Sequence, residues 1–172
     1  MPTGDEPLFP EKNRSETEAR TGDPGLAGRI RNLVTGQLYG VLCTQGGGQP
    51  YGSMVAFAFS DNLTYAVFAT PTATRKYRLL VECDHVALVV DNRPQYPDDM
   101  MKVEAVTATG KVRNVERGPE YDTYASLLTK RHPQLESFVK ASSCALFKID
   151  IYRFFHVTRF QEVGQWVPPT RG

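Results

Sequence analysis

The sequence predicts a mainly β, α+β fold: a small antiparallel barrel of about six strands with short helices flanking it. Three observations carry this. Apolar or β-branched runs of strand length recur along the chain, the longest being Lys102 to Val115 and Ala145 to Thr158. The helical patterns are short and interrupt the strands irregularly, which argues against a doubly wound sheet. A chain of 172 residues with 41% hydrophobic content supports one domain with one core.

Residues 1–25 carry Pro, Gly, Glu, Arg and Thr with little apolar content. They read as a flexible tail, or as a segment wrapped over a partner subunit, leaving 26–172 as the folded domain. Leu26, Ile30, Leu33 and Val34 are spaced as one face of a short helix ending at Gly36. Leu38 to Thr44 is a strand, and Gly46-Gly47-Gly48 reads as a hairpin loop, since it lacks the spacing of a phosphate-binding glycine motif. The strand from Gln49 to Ser60 alternates. Tyr51, Ser53, Val55, Phe57 and Phe59 share one face, while Gly52, Met54, Ala56, Ala58 and Ser60 form a small-residue face that would let a flat ligand lie close to the backbone. Asp61-Asn62 signals a two-residue hairpin, and Leu63 to Ala69 is the returning strand.

A helix follows through Glu82, then a strand from Val86 to Asp91 and a loop from Asn92 to Met101. In the strand from Lys102 to Val115, Gly110 marks a bulge or bend. Gly118-Pro119-Glu120 opens a helix to about Lys130, and Gln134 to Lys140 is a shorter one. Ala145 to Thr158 is the last long strand, with Phe147, Ile149 and Ile151 on one face and Leu146, Tyr152 and Phe154 partly on the other. The chain beyond it, with Trp166-Val167-Pro168-Pro169, reads as a tail.

Charge and composition exclude several classes of function. A formal net charge of +1 gives no pull toward nucleic acid or an anionic membrane. No apolar run reaches spanning length and the start of the chain lacks a signal-peptide core, so a cytoplasmic protein is expected. Cys43, Cys83 and Cys144 are widely spaced and read as free thiols, without a zinc site. His132 precedes Pro133 in a polar loop and is expected in solvent; His85 and His156 read as structural rather than as ligands. Asp98-Asp99 reads as a solvated loop pair.

The stretch Thr70-Pro71-Thr72-Ala73-Thr74-Arg75-Lys76 carries the most chemistry. A threonine caps a helix start, whose backbone N–H groups and positive dipole end favour an anion. Arg75 adds a planar fork of donors and Lys76 a point charge. A phosphate monoester dianion fits this set; a basic helix start facing water is the other reading.

In its order of parts the chain resembles the pyridoxamine 5'-phosphate oxidase-like split barrels over roughly Leu26 to Thr158. Gln49-Pro50-Tyr51 opens the strand, Ser53-Met54-Val55 falls where that family lays backbone along a flavin ring, Ala69-Thr70 matches the pair after the next strand, and Thr74-Arg75-Lys76 matches the phosphate clamp. The resemblance implies a six-stranded antiparallel split β-barrel and a homodimer with flavin mononucleotide (FMN) at the interface. Its implied cofactor-binding residues are Tyr51, Ser53, Met54, Val55, Ala69, Thr70, Thr74, Arg75 and Lys76. Tyr152 falls where the oxidases have a flavin-contacting Trp, and Trp166 lies in a segment able to cover the flavin; both also read as aromatics packing at a dimer surface.

The sequence departs from the oxidases at their substrate grip. Their Arg-Met-Val-Leu-Leu-Lys run is Ser53-Met54-Val55-Ala56-Phe57-Ala58 here, their Gln on the long strand aligns with Ala105, and their C-terminal Arg-Leu-His is absent after Trp166. The implied protein keeps the flavin phosphate clamp and loses the grip on pyridoxine phosphate: an FMN-dependent oxidoreductase of another, unassigned substrate. Its rivals are a flavin store or sensor, a haem-binding relative using His156 or His85, a deazaflavin-dependent reductase, and an interaction module without ligand.

Overall fold

The computed structural model describes residues 16–17, 24–159 and 162–169. A two-residue strand, Glu16–Thr17 (β1), precedes helix Pro24–Gly36 (α1); the helix takes in the last two residues of the tail expected over 1–25, and the tail's remaining residues lie outside the described ones. Strands Tyr39–Gly46 (β2), Gln49–Phe59 (β3) and Tyr65–Pro71 (β4) lead into helix Arg75–Glu82 (α2). Strands His85–Asp91 (β5) and Ala105–Val115 (β6) follow, joined by a segment with two short 3-10 turns. Helices Pro119–Arg131 (α3) and Glu136–Lys140 (α4) precede strands Cys144–Thr158 (β7) and Glu162–Trp166 (β8).

Neighbouring strands run in the order β7-β4-β3-β2-β5-β6, and β6 pairs back onto β7 to close a six-stranded antiparallel barrel. The C-terminal stretch read as a tail instead adds β8 to the outer edge of β7, and β1 pairs parallel to it. Its single Gly164 and five-residue length leave too little periodicity to announce a strand.

Gly47 and Gly48, at φ 56° and 80°, make the turn between β2 and β3, a conformation glycine adopts without a Cβ penalty. The next hairpin differs from the expected Asp61-Asn62 turn. Its loop spans Ser60 to Thr64, because Asn62 Oδ1 accepts from the Ser60 hydroxyl, the Thr64 hydroxyl and the Thr64 N–H at 2.9, 2.7 and 3.2 Å. Leu63 is held at φ 60° with its side chain buried, so packing outweighs the backbone cost there.

The barrel is split between β3 and β4. They pair only over Phe57–Phe59 and Ala66–Phe68, while β3 from Gln49 to Ala56 pairs with β2 alone. The bulge expected at Gly110 is present: Thr109 faces Arg153 but Gly110 faces Ile151, leaving Tyr152 as the extra residue on β7. A Cβ at Gly110 would lie 2.1 Å from the Asp150 carbonyl oxygen, so only glycine fits. The extra residue inverts the alternation of β7. Phe147, Ile149 and Ile151 point inward, and so does Phe154, which an unbroken strand would have sent outward.

The main core fills the barrel with Phe57, Phe68, Phe147, Ile149 and Phe154, closed by Leu26, Ile30, Leu33 and Val34 of α1. A second cluster lies on the outer wall, where Ala58, Val67 and Leu146 meet Tyr121, Tyr124 and Leu128 of α3. His132 is not in solvent. It is 1% exposed, its Nε2 lies 2.9 Å from the Phe57 carbonyl oxygen, and the end of α3 carries it onto the barrel wall. Arg131 beside it donates to the carbonyls of Val34, Thr35 and Gln37 at the end of α1. That docking outweighs the polar sequence around both residues. The three cysteines are free. Among the described residues no cluster of three metal-ligating side chains occurs, and no helix is long and apolar enough to cross a membrane.

Candidate functional site

Thr74 caps α2. Its hydroxyl oxygen accepts from the Tyr77 N–H at 3.1 Å and the hydroxyl donates to the Pro71 carbonyl at 2.9 Å, so the end of β4 and the first turn of α2 are one rigid corner. The buried Thr70 hydroxyl lies 3.1 Å from that of Thr74, at the end of β4. Arg75 and Lys76 therefore leave the capped turn in fixed directions. The Arg75 guanidinium sits 5.7 Å from the Tyr51 ring centroid, and Lys76 Nζ donates to the Met54 carbonyl at 3.2 Å.

These contacts bring Tyr51 and Met54 of β3 together with Thr70, Thr74, Arg75 and Lys76, across the split between β3 and β4. The Met54 side chain is 69% exposed, while Val55 beside it is buried in the barrel. Ser53 lies between Gly52 and Met54 on the same strand, and its buried hydroxyl has no hydrogen-bond partner. Ala69 precedes Thr70 and is partly buried against the outer core cluster. Burial lowers the Lys76 pKa. Half-burying an ammonium costs free energy that an anion beside it would return.

Tyr152 and Trp166 lie elsewhere in the chain's own fold. Tyr152, pushed out by the bulge, lines a groove of about 280 Å³ with Cys43, Thr44, Pro50, His85 and Thr109 on the outer face of the barrel. Burial raises the Cys43 thiol pKa, which keeps it protonated. Asp84 Oδ1 lies 3.0 Å from His85 Nδ1. Trp166 is 6% exposed, its ring 5.6 Å from that of Phe154, and it belongs to the main core.

Beside this groove runs a patch that sequence reading did not single out. Leu38 and Tyr39 are 49% and 50% exposed and line one hollow with Met54, Val41 and Val89.

The family model for pyridoxamine 5'-phosphate oxidase matches residues 26–157. No curated protein matches the sequence. Among solved structures, a haem-binding protein from Mycobacterium smegmatis superposes with a TM-score of 0.74 at 16% identity, over 84% of this chain and 58% of that one. ChuZ from Campylobacter jejuni gives 0.72 at 12% identity, over 88% and 61%. An FAD-binding protein from Mesorhizobium loti gives 0.62 at 16% identity, over 76% and 92%. The chain thus spans about three fifths of the length of the first two. At these identities the likeness is one of fold.

Proposed function

The chain belongs to the pyridoxamine 5'-phosphate oxidase family, and from that premise we propose that it is an FMN-binding flavoprotein, an oxidoreductase acting as a homodimer on a substrate other than pyridoxine phosphate. The observation that carries this reading is the meeting of Thr70, Thr74, Arg75 and Lys76 beside the unpaired edge of β3. The barrel with α1, from Pro24 onward, would form the working domain.

The residues present fit the cofactor. A helix start capped by Thr74, with a guanidinium and a half-buried ammonium, suits a phosphate dianion. An ammonium has three donors, so Lys76 can hold the Met54 carbonyl and a phosphate oxygen together. The orphaned Ser53 hydroxyl and the open β3 backbone offer polar partners to a ring edge. Val55 would back that strand, Ala69 and Thr70 would meet the ribityl chain, and Tyr51 would hold Arg75 in place. A bound flavin supplies the electron and hydride chemistry, so this chain's residues need only bind, orient and exclude water.

The exposed Leu38, Tyr39 and Met54 favour a second copy covering this face. Tyr152, whose groove does not include Thr74–Lys76, is assigned to the flavin only through such a dimer interface. Ser53 and Ala58 replace the Arg and Lys of the oxidases, which removes the cations a pyridoxine phosphate needs. Trp166 would support β8 from within the core rather than cover the flavin.

A second reading is haem binding on the same barrel. It is favoured by the structural likeness to a haem-binding protein and by His85 beside the groove that Tyr152 lines. The absorbance spectrum of the purified protein separates the two. Flavin bands support the first reading; a Soret band lost in His85→Ala would replace it with the second.

A further inference from the structure

At the end of the barrel opposite α2, a second and larger cavity of about 850 Å³ opens between α1, the segment joining β5 to β6, and the β7–β8 hairpin. Its walls carry Arg29, Lys102, Glu104, His156, Arg159 and Glu162. Arg159 and Glu162 face each other at 3.8 Å, and Lys102 pairs with Asp99 at 3.3 Å on the rim.

His156 sets this cavity apart. Its side chain is 4% exposed, yet its Nε2 has no hydrogen-bond partner. Glu104 Oε1 lies 3.6 Å from it, beyond the length of a hydrogen bond. Buried polar atoms of this kind are normally satisfied. Glu104 itself is positioned, since its backbone N–H donates to the Asn92 side chain at 2.7 Å.

With the proton on Nε2, beside the Glu104 carboxylate, the group that completes this pair accepts from the imidazole N–H and donates to the carboxylate. A hydroxyl can do both. An ammonium lacks the acceptor, and a carboxylate or phosphate oxygen placed there meets Glu104 with like charge. Arg29, which lines the same cavity and adds its charge to the field at His156, suits an anion farther along the same ligand.

We propose that this cavity is a binding site for a small hydroxylated phosphate ester, with one sugar hydroxyl against the His156–Glu104 pair and the phosphate at Arg29 and Lys102. It is separate from the Thr74–Lys76 clamp and does not depend on the identity of the cofactor there.

Ribose 5-phosphate is the probe, titrated calorimetrically into the full chain, Arg29→Ala, His156→Gln, and the double variant Arg75→Ala/Lys76→Ala. We expect binding to the full chain and to the double variant, weakened about tenfold or more in Arg29→Ala. The imidazole proton resonance of His156, identified by its loss in His156→Gln, should shift on addition. No binding to the full chain, unchanged binding in Arg29→Ala, or loss of binding in the double variant overturns the proposal. So does inorganic phosphate that binds as tightly as the sugar phosphate. Should His156→Gln not fold, the exposed Arg29 keeps the test decisive.

Discussion

Lys76 Nζ donates to the Met54 carbonyl at 3.2 Å, joining residues 22 positions apart in sequence. The bond ties the first turn of α2 to the stretch of β3 that has no β4 partner. It holds a half-buried cation at the split of the barrel, where the proposed flavin phosphate would sit. Charge-assisted hydrogen bonds contribute about 1.5–3 kcal/mol each. Lys76→Ala and Arg75→Ala should therefore each weaken FMN binding by roughly tenfold to hundredfold, with unfolding midpoints little changed. Flavin fluorescence titration beside thermal unfolding checks both halves of the statement.

Thr74→Ala removes the acceptor for the Tyr77 N–H. Loss of such a cap costs about 1 kcal/mol. Thr74→Ser keeps the hydroxyl and should recover most of it. Chemical denaturation of the two variants against the parent reads the difference directly.

Gly110→Ala drives a methyl group against the Asp150 carbonyl, at a separation of 2.1 Å without movement. Backbone on both sides must shift, and β6 and β7 close the barrel at this point. A loss of about 3 kcal/mol of unfolding free energy is expected from chemical denaturation, or failure to yield folded protein.

Burial holds the His156 pKa below the ordinary histidine value of 6.5, with Arg29 lowering it further and Glu104 opposing both. The unfolded chain therefore takes up the proton first as pH falls. Stability from this residue is complete above the ordinary value and is lost as pH drops through it toward the folded value. His156→Gln should flatten the dependence. Denaturation at about pH 8 and about pH 5.5 makes the comparison.

Local rules made much of this legible in the sequence. Gly47-Gly48 and Gly110 read correctly because the turn needs backbone that glycine gives without strain and the register shift leaves no room for a Cβ. A threonine cap before Arg75 read correctly because capping depends on a few adjacent residues, and the structure gives it to Thr74. What failed depends on distant packing. His132 looked solvated because its neighbours are polar, yet α3 carries it to the Phe57 carbonyl, 75 positions away. Phe154 looked outward because the alternation was carried straight through Tyr152, whose extra position shows only once β6 is laid beside β7. The cavity at His156 joins residues from α1, β7 and the β5–β6 connection, and no spacing along the chain announces it. Nor does any spacing announce the apolar hollow of Leu38, Tyr39 and Met54, which the pairing of β2 with β3 assembles.

The most direct test of the account is an FMN titration of the purified, cofactor-stripped protein, followed by quenching of flavin fluorescence and run beside Arg75→Ala/Lys76→Ala. The account predicts stoichiometric uptake by the parent chain and a loss of affinity of at least about a hundredfold in the double variant. A parent chain indifferent to FMN, or a double variant that retains it as tightly as the parent, would contradict the assignment of Thr74, Arg75 and Lys76 as the flavin phosphate site.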